Sequence, residues 1–356
     1  MTFLFRRIDW KLCAALGMLL AAGLLSLLST SPDIFGKQVA WVLLGIFVAL
    51  LLVAVDLRSF FSHPNVIFGI YALVLITLLA TYLFAPVIKG NRAWLSLAGF
   101  QFQPSEFAKI ALILVLAYFF SKKHVGIARW KTLIISFIYC ALPAGLIALQ
   151  PDLGSSLVLF AIWLGFIIAS GVPLRRLAVT AGIFALALLV LWNVGLQEYQ
   201  KARIVGVFNP ELDPRGVSYS VIQSKIAIGS GGVFGKGFGQ GTQVQLGFLP
   251  EAHNDFIFAA IAEEGGLVGV MALVGAFSWM LFRLLHLGLL MERNFYKFLT
   301  LGAVILFLAQ FIFHVGSNIG LLPVIGTTLP FVSYGGSSIL ANMIVIGIIQ
   351  SAYSRR

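Results

Sequence analysis

Leu12-Cys-Ala-Ala-Leu-Gly-Met-Leu-Leu-Ala-Ala-Gly-Leu-Leu-Ser-Leu-Leu28 contains no charged side chain, and Arg6, Arg7 and Lys11 stand directly before it. A cationic start and an apolar run describe a signal peptide or a retained first membrane helix. The rest of the chain decides between them. Nine further apolar runs follow, at Val39–Val55, Val66–Val87, Phe107–Phe120, Thr132–Leu149, Gly154–Ser170, Leu177–Leu196, Gly265–Leu285, Phe298–Val315 and Ile339–Ala352. A spanning helix needs roughly 20 mainly apolar residues. The expected fold is therefore all-α, an integral membrane protein of about ten transmembrane helices, with the first run retained. Phe256–Ala262 is a short apolar piece ahead of the eighth run; it either extends that helix or makes a re-entrant turn.

Composition agrees. Of 356 residues, 60% are hydrophobic and 10% charged, whereas a soluble domain carries roughly 25% charged residues. Residues 1–356 are expected to form one polytopic domain, with residues 197–264 as a long polar loop inside it. Cys13 and Cys140 both sit in apolar runs and give neither a disulfide framework nor metal spacing.

The net charge of +11 is a topology signal. One set of alternate loops holds fifteen cations against three acids, Asp9, Asp56 and Glu292. The opposite set holds nine cations and ten acids. The positive-inside rule makes the basic face cytoplasmic. Both termini are then cytoplasmic and the 197–264 loop extracytoplasmic. Nucleic acid is excluded as a partner, and nucleotide as a cofactor, since the polar clusters lie where no ATP pool exists.

Five segments stand out on that face. Gly229–Gly241 is glycine-rich, but Gly235-Lys236 fits neither G-x-x-x-x-G-K-[ST] nor G-x-G-x-x-G. It reads as a turn-rich loop, or more sharply as a diphosphate cradle aided by Lys236. Gln103-Pro-Ser-Glu106 with Lys109 opens the fourth run, and Glu106 and Lys109 share a helix face. Ionisable groups at that depth face a cavity or a partner, so the pair reads as a structural ion pair or as a functional one. Gly90-Asn-Arg92-Ala-Trp94 precedes it. In Gln150-Pro-Asp152-Leu-Gly154, Asp152 reads as an N-cap. The richest segment is Leu249-Pro-Glu251-Ala-His253-Asn-Asp255-Phe-Ile-Phe258 with Glu263-Glu264. Asn254 or Asp255 could cap a helix there, which leaves Glu251, His253, Glu263 and Glu264 unexplained. No H-E-x-x-H zinc spacing occurs; hard oxygen donors would suit Mg²⁺ or Mn²⁺. Finally, Asn318–Ser338 is apolar and broken by Pro323, Gly326, Pro330, Gly335 and Gly336. Irregular backbone at membrane depth survives only inside protein or along a cavity, so it is expected to be re-entrant.

Taken in order, Arg92-Ala-Trp94, Phe102-Gln-Pro-Ser-Glu106 with Lys109, Gln150-Pro-Asp-Leu-Gly154, Ala227-Ile-Gly-Ser-Gly-Gly232, Leu249–Phe258, Glu263-Glu264 and Pro330-Phe-Val-Ser-Tyr-Gly-Gly-Ser-Ser338 resemble the SEDS family (shape, elongation, division and sporulation) along essentially the whole chain. Gln243–Pro250 and Leu322-Pro-Val324 look more like its RodA branch than its FtsW branch. The resemblance implies a peptidoglycan glycosyltransferase that polymerises lipid II, the undecaprenyl-diphosphate-linked precursor. It also implies work beside a class B penicillin-binding protein in the elongation machinery of a bacterial inner membrane. It marks Asp255 as the residue most tied to activity and carries Glu106 and Lys109 with it.

Chemistry outside the cell must use a donor already activated as a lipid diphosphate. Transfer needs a base for the acceptor hydroxyl and positive charge for the leaving diphosphate. Asp255 is the expected base, or the ligand of an orienting Mg²⁺ or Mn²⁺. Lys109, Arg203 or Lys236 would neutralise the diphosphate, with Glu106 positioning Lys109. Arg92, Glu251, His253, Glu264 and Ser337 complete the expected substrate-binding set. The rival readings are a lipid II flippase and a non-catalytic scaffold for a penicillin-binding protein. A flippase would place polar groups near the midplane, and here they gather at one face.

Overall fold

The computed structural model describes residues 8–86, 91–97, 100–123, 129–190, 192–193, 198–208, 216 and 218–355. Ten long helices carry the fold: α1 Trp10–Thr30, α2 Pro32–Ala54, α3 Pro64–Phe84, α4 Pro104–Ser121, α5 Trp130–Ala148, α6 Leu153–Ala169, α7 Leu174–Val190, α8 Ile257–Leu290, α9 Asn294–Asn318 and α10 Gly336–Ser354. Eight are long and apolar enough to cross a membrane, and α6 is a shorter apolar helix. The helix starts follow from sequence. Pro32, Pro64 and Pro104 occupy first turns, where a missing N–H costs nothing. Asp9 and Asp152 cap α1 and α6 through their carboxylates. That is the role expected of Asp152.

Leu43 and Phe47 on α2, Leu73 and Ile76 on α3, and Phe282 and Leu289 on α8 are all exposed. A soluble protein could not sustain such a belt; a membrane protein turns it to lipid. The chain is a multi-pass membrane protein. Small residues let the helices close. Gly45 of α2 meets the Met343 side chain of α10, and Gly347 of α10 meets the Ala49 backbone of α2, each so closely that an added Cβ would make its neighbour shift. The close approach compensates for the weak hydrophobic drive between helices in lipid.

Long-range contacts sort the polar residues into two ends. At one end Asp9 pairs with Arg283 and exchanges backbone hydrogen bonds with Gln350, while Arg58 and Arg355 bind Arg355 O and Val55 O. At the other end lie Ser29, Gln103, Asp152, His253, Asn318 and Ser337. This is the same partition that the loop charges gave.

Two irregular pieces shape the second end. Helix α8 is broken at Gly266 (φ 61°, ψ −161°), so Phe256–Ala262 belongs to a half-helix joined through a kink. Residues 319–335 form no helix or strand. Phe331 packs edge-on against Phe307 of α9, eleven residues below Asn318, which is about 16 Å of helix rise. Leu329, Phe331, Val332 and Ser333 are buried. The inner part of the segment folds back among the helices, as expected of a re-entrant piece, while Ile319, Leu321 and Gly326 are exposed. The stretch expected as a loop, 197–264, is largely structured: it contains helices Glu198–Phe208 and Tyr219–Ser230 and a one-turn helix, Thr242–Gln245. Among the described residues the only strands are Leu95–Leu97 and Phe100–Phe102, an antiparallel pair with Leu95 opposite Phe102.

Candidate active site

Asp255 ends a tight turn that begins at Glu251, itself at φ 50°. The amides of Asn254 and Phe256 donate to Glu251 O. Three consecutive carbonyls of this turn are gripped from outside it. Tyr334 N donates to His253 O at 3.1 Å, Ser333 Oγ to Asn254 O at 3.0 Å, and Asn318 Nδ2 to Asp255 O at 2.8 Å. The re-entrant segment and the end of α9 thus fix the backbone that carries Asp255.

Asn318 is fully buried and spends every side-chain function. Its Nδ2 also donates to His314 O at 2.8 Å. Its Oδ1 accepts from Ala259 N at 3.2 Å, and its own carbonyl accepts from Ser224 Oγ. Ala259 is the third residue of α8, and the cap position falls on Phe256, which has no capping side chain. Asn318 therefore satisfies an orphan amide of α8 from another helix, a role the sequence assigned to Asn254 or Asp255.

Beside the turn is a cavity of about 180 Å³. Asp255, Glu251 and Phe256 line it from the turn, and Gly206, Ser218 and Ser220 line it from helix Glu198–Phe208 and the start of helix Tyr219–Ser230. Arg203 lies one turn before Gly206 on the same helix, but its side chain is outside the described residues. His253 lies 3.8 Å from the Glu251 carboxylate, with Nδ1 3.3 Å from Ser31 Oγ.

Other expected site residues are placed elsewhere at this end. Glu106 and Lys109 form a buried ion pair at 2.7 Å at the head of α4; neither lines the Asp255 cavity. Lys236 pairs with Glu263 at 2.7 Å and donates to Thr242 Oγ1. Glu263 has no exposed surface and also accepts from Gln243 N and Val244 N. The ammonium expected to meet a diphosphate is neutralised by a carboxylate instead. Glu264 is held by Ser29 at the end of α1. The Ser337 hydroxyl accepts from Gln103 N and donates to Gln101 O, tying α10 to the start of α4. Arg92 is exposed.

The model of the FtsW/RodA/SpoVE cell cycle proteins matches residues 5–356. The chain belongs to this family. A curated member, the peptidoglycan glycosyltransferase MrdB of Escherichia coli K12, is 39% identical over 81% of this chain and 77% of its own. A chain from a peptidoglycan synthase complex, solved to show how polymerisation and crosslinking are coordinated, superposes with a TM-score of 0.84 at 32% identity, covering 97% of both chains. The rod shape determining protein RodA of Thermus thermophilus superposes at 0.74 with 30% identity, over 98% of this chain and 97% of that one. Within this family frame, two residues absent from the expected site set bond the Asp255 turn directly: Asn318, and Ser333 from inside the Pro330–Ser338 motif. Their signal was present: a carboxamide ending an apolar helix, and a hydroxyl inside a buried irregular segment, both costly without partners.

Proposed function

We infer that this chain is a peptidoglycan glycosyltransferase, and that it polymerises lipid II at the outer face of the bacterial cytoplasmic membrane during elongation. Asp255 on the wall of a cavity, its backbone gripped at three successive carbonyls, carries the reading. A rigid carboxylate at an accessible cleft suits a general base acting on a sugar hydroxyl. The Asp255 end would then be extracytoplasmic, as the loop charges imply. The opposite end is stitched by Asp9–Arg283 and by Arg58 and Arg355, which favours surface chemistry over transport in this conformation.

The polyprenyl chain would lie in an apolar groove of about 220 Å³ among α2, α3, α4 and α10, lined by Leu52, Phe61, Val74, Phe107, Leu114 and Ile348 among others. No polar surface interrupts it. Glu106 and Lys109 flank Phe107, which lines that groove; Lys109, neutralised by Glu106 as Lys236 is by Glu263, would counter a diphosphate there only by exchanging that partner.

Among the described residues no three His, Cys, Asp or Glu side chains cluster as metal ligands. Mg²⁺ commonly takes only one or two carboxylates, with substrate phosphates supplying the rest. Asp255 and Glu251, sharing one cavity, fit that sparse demand. A cation there would neutralise diphosphate charge. Crosslinking would fall to a class B penicillin-binding protein as partner, a reading supported by the similar chain's place in a peptidoglycan synthase complex.

The test is polymerisation of lipid II by the purified chain, with Asp255→Ala beside it and with Mg²⁺ present or chelated. Loss of glycan product in the variant is expected. Glycan formed by Asp255→Ala at near wild-type rate would overturn the assignment.

A further inference from the structure

The break at Gly266 frees main-chain groups inside a membrane helix, and the glycine-rich segment satisfies them. Lys236 N donates to Glu263 O and Gly237 N to Glu264 O, both at 3.0 Å. In return Leu267 N donates to Gly232 O and Val268 N to Val233 O, at 3.0 and 3.1 Å. Lipid offers no water to replace such bonds. The approach is close enough that a Cβ on Gly266 would stand 2.2 Å from Gly235 N. Segment and helix are therefore one unit, and the segment sits at the depth of the kink.

That depth follows from α8. Arg283 pairs with Asp9 where α1 begins, beside the exposed Trp10, an interfacial combination. Val268 is fifteen residues above Arg283, about 22 Å along a helix. The hydrocarbon core is about 30 Å thick, and lipid-facing Leu289 lies six residues beyond Arg283, so Val233, bonded to Val268, lies at its far edge.

The surface at that level is apolar. Phe234 is 83% exposed, Phe238 57% and Val233 55%. They continue the outward face of α8, where Leu267, Val268 and Met271 are 55%, 54% and 63% exposed. The one charged residue of the segment, Lys236, is neutralised by Glu263.

We propose that Val233–Phe238 is an interfacial wedge, with Val233, Phe234 and Phe238 seated in the acyl boundary of the leaflet nearest Asp255. Its partner is the lipid surface. The wedge plugs the broken helix on one side and faces lipid on the other, and so sets the depth of the half-helix that follows the Asp255 turn.

Spin labelling tests this directly. Cys13 and Cys140 are replaced by alanine, and single cysteines are introduced by Phe234→Cys, Phe238→Cys, Met271→Cys and Gln240→Cys. Each labelled full-length chain is reconstituted alone in phosphatidylethanolamine–phosphatidylglycerol vesicles. Collision with oxygen, which partitions into lipid, is compared with collision with a water-soluble nickel chelate. Residue 271 is the lipid reference and exposed residue 240 the aqueous one. The oxygen-to-nickel ratio at 234 is expected to exceed that at 240 several-fold and to approach that at 271. If Phe234→Cys fails to fold, position 238 carries the same expectation. Water-like ratios at both positions overturn the proposal. So does protection from both reagents, which would mean a protein neighbour.

Discussion

Replacing Asn318 by leucine separates the positioning of Asp255 from the integrity of the bundle. Leucine nearly preserves the shape and removes all three side-chain hydrogen bonds. His314 O keeps a donor, Ser317 Oγ at 2.8 Å. Asp255 O and Ala259 N lose theirs. A buried polar group left unsatisfied costs about 1–3 kcal/mol, so the strain on the turn totals roughly 2–6 kcal/mol. The turn can relieve much of it by rotating the Asp255 carbonyl towards the adjacent cavity. That rotation moves the carboxylate, and a displacement near 1 Å costs on the order of 10²-fold in rate. Lipid II polymerisation by purified Asn318→Leu should therefore show kcat lowered by about 10²-fold, with KM for lipid II changed little because the lipid groove is untouched. The control is Asn342→Leu, an equally buried carboxamide on α10 with no bond to the Asp255 turn, expected to keep near wild-type turnover. Folded Asn318→Leu with wild-type kcat would refute the argument, and so would an equal loss in Asn342→Leu.

Further substitutions probe the other contacts. Gly266→Ala places a side chain in backbone space that is essentially glycine-only, at about 1–3 kcal/mol, and drives Cβ into Gly235 N; thermal melting in detergent should fall sharply, and wild-type stability would contradict the plugged break. Lys109→Met strands the buried Glu106 carboxylate and should cost about 3–5 kcal/mol. The double variant Glu106→Gln/Lys109→Met should regain most of that stability yet polymerise poorly, and wild-type polymerisation by it would make the pair purely structural. Lys236→Met should lower stability by stranding Glu263, with little change in KM for lipid II; a large rise in KM would restore Lys236 to the diphosphate site. At the opposite end, burial pushes the Asp9 carboxyl up, but hydrogen bonds from Arg283 and Leu12 N outweigh it and hold the pKa below its ordinary value. A depressed carboxylate contributes stability above its unfolded pKa of about 4, and that contribution fades as pH falls through the lower folded value. Melting curves from pH 7 down to 3 should show an acid loss that Asp9→Asn flattens; identical slopes would refute it.

What could be read from sequence and what could not divide along one physical line. Apolar run length and the alternation of basic loops depend on local composition, and they placed ten helices and separated the two ends. Even the re-entrant segment was legible, because prolines and glycines in an apolar stretch leave few alternatives at membrane depth. The pairing of Lys236 was not legible. A lysine among glycines looks available for a phosphate, and only the kink at Gly266, 30 residues on, brings Glu263 against it. The same kink turned an expected aqueous loop into a plug. Asn318 escaped notice for a related reason: its partners are main-chain atoms of residues 255 and 259, and main-chain recognition leaves no pattern in the partner's side chains.

These hidden contacts share a logic. Each breaks a helix or ends one near the Asp255 turn, and each repairs the exposed backbone with residues distant in sequence. Gly266 frees the carbonyls of residues 263 and 264, and Gly231–Gly241 repairs them. The start of α8 leaves Ala259 N open, and Asn318 repairs it while also holding Asp255 O. The half-helix Ile257–Glu264 is therefore fixed at both ends by tertiary bonds rather than by its own continuation. In a bilayer, where an unpaired backbone group has no water to fall back on, such a segment cannot drift without breaking several bonds together. That is a way to hold one carboxylate steady at the edge of a fluid membrane.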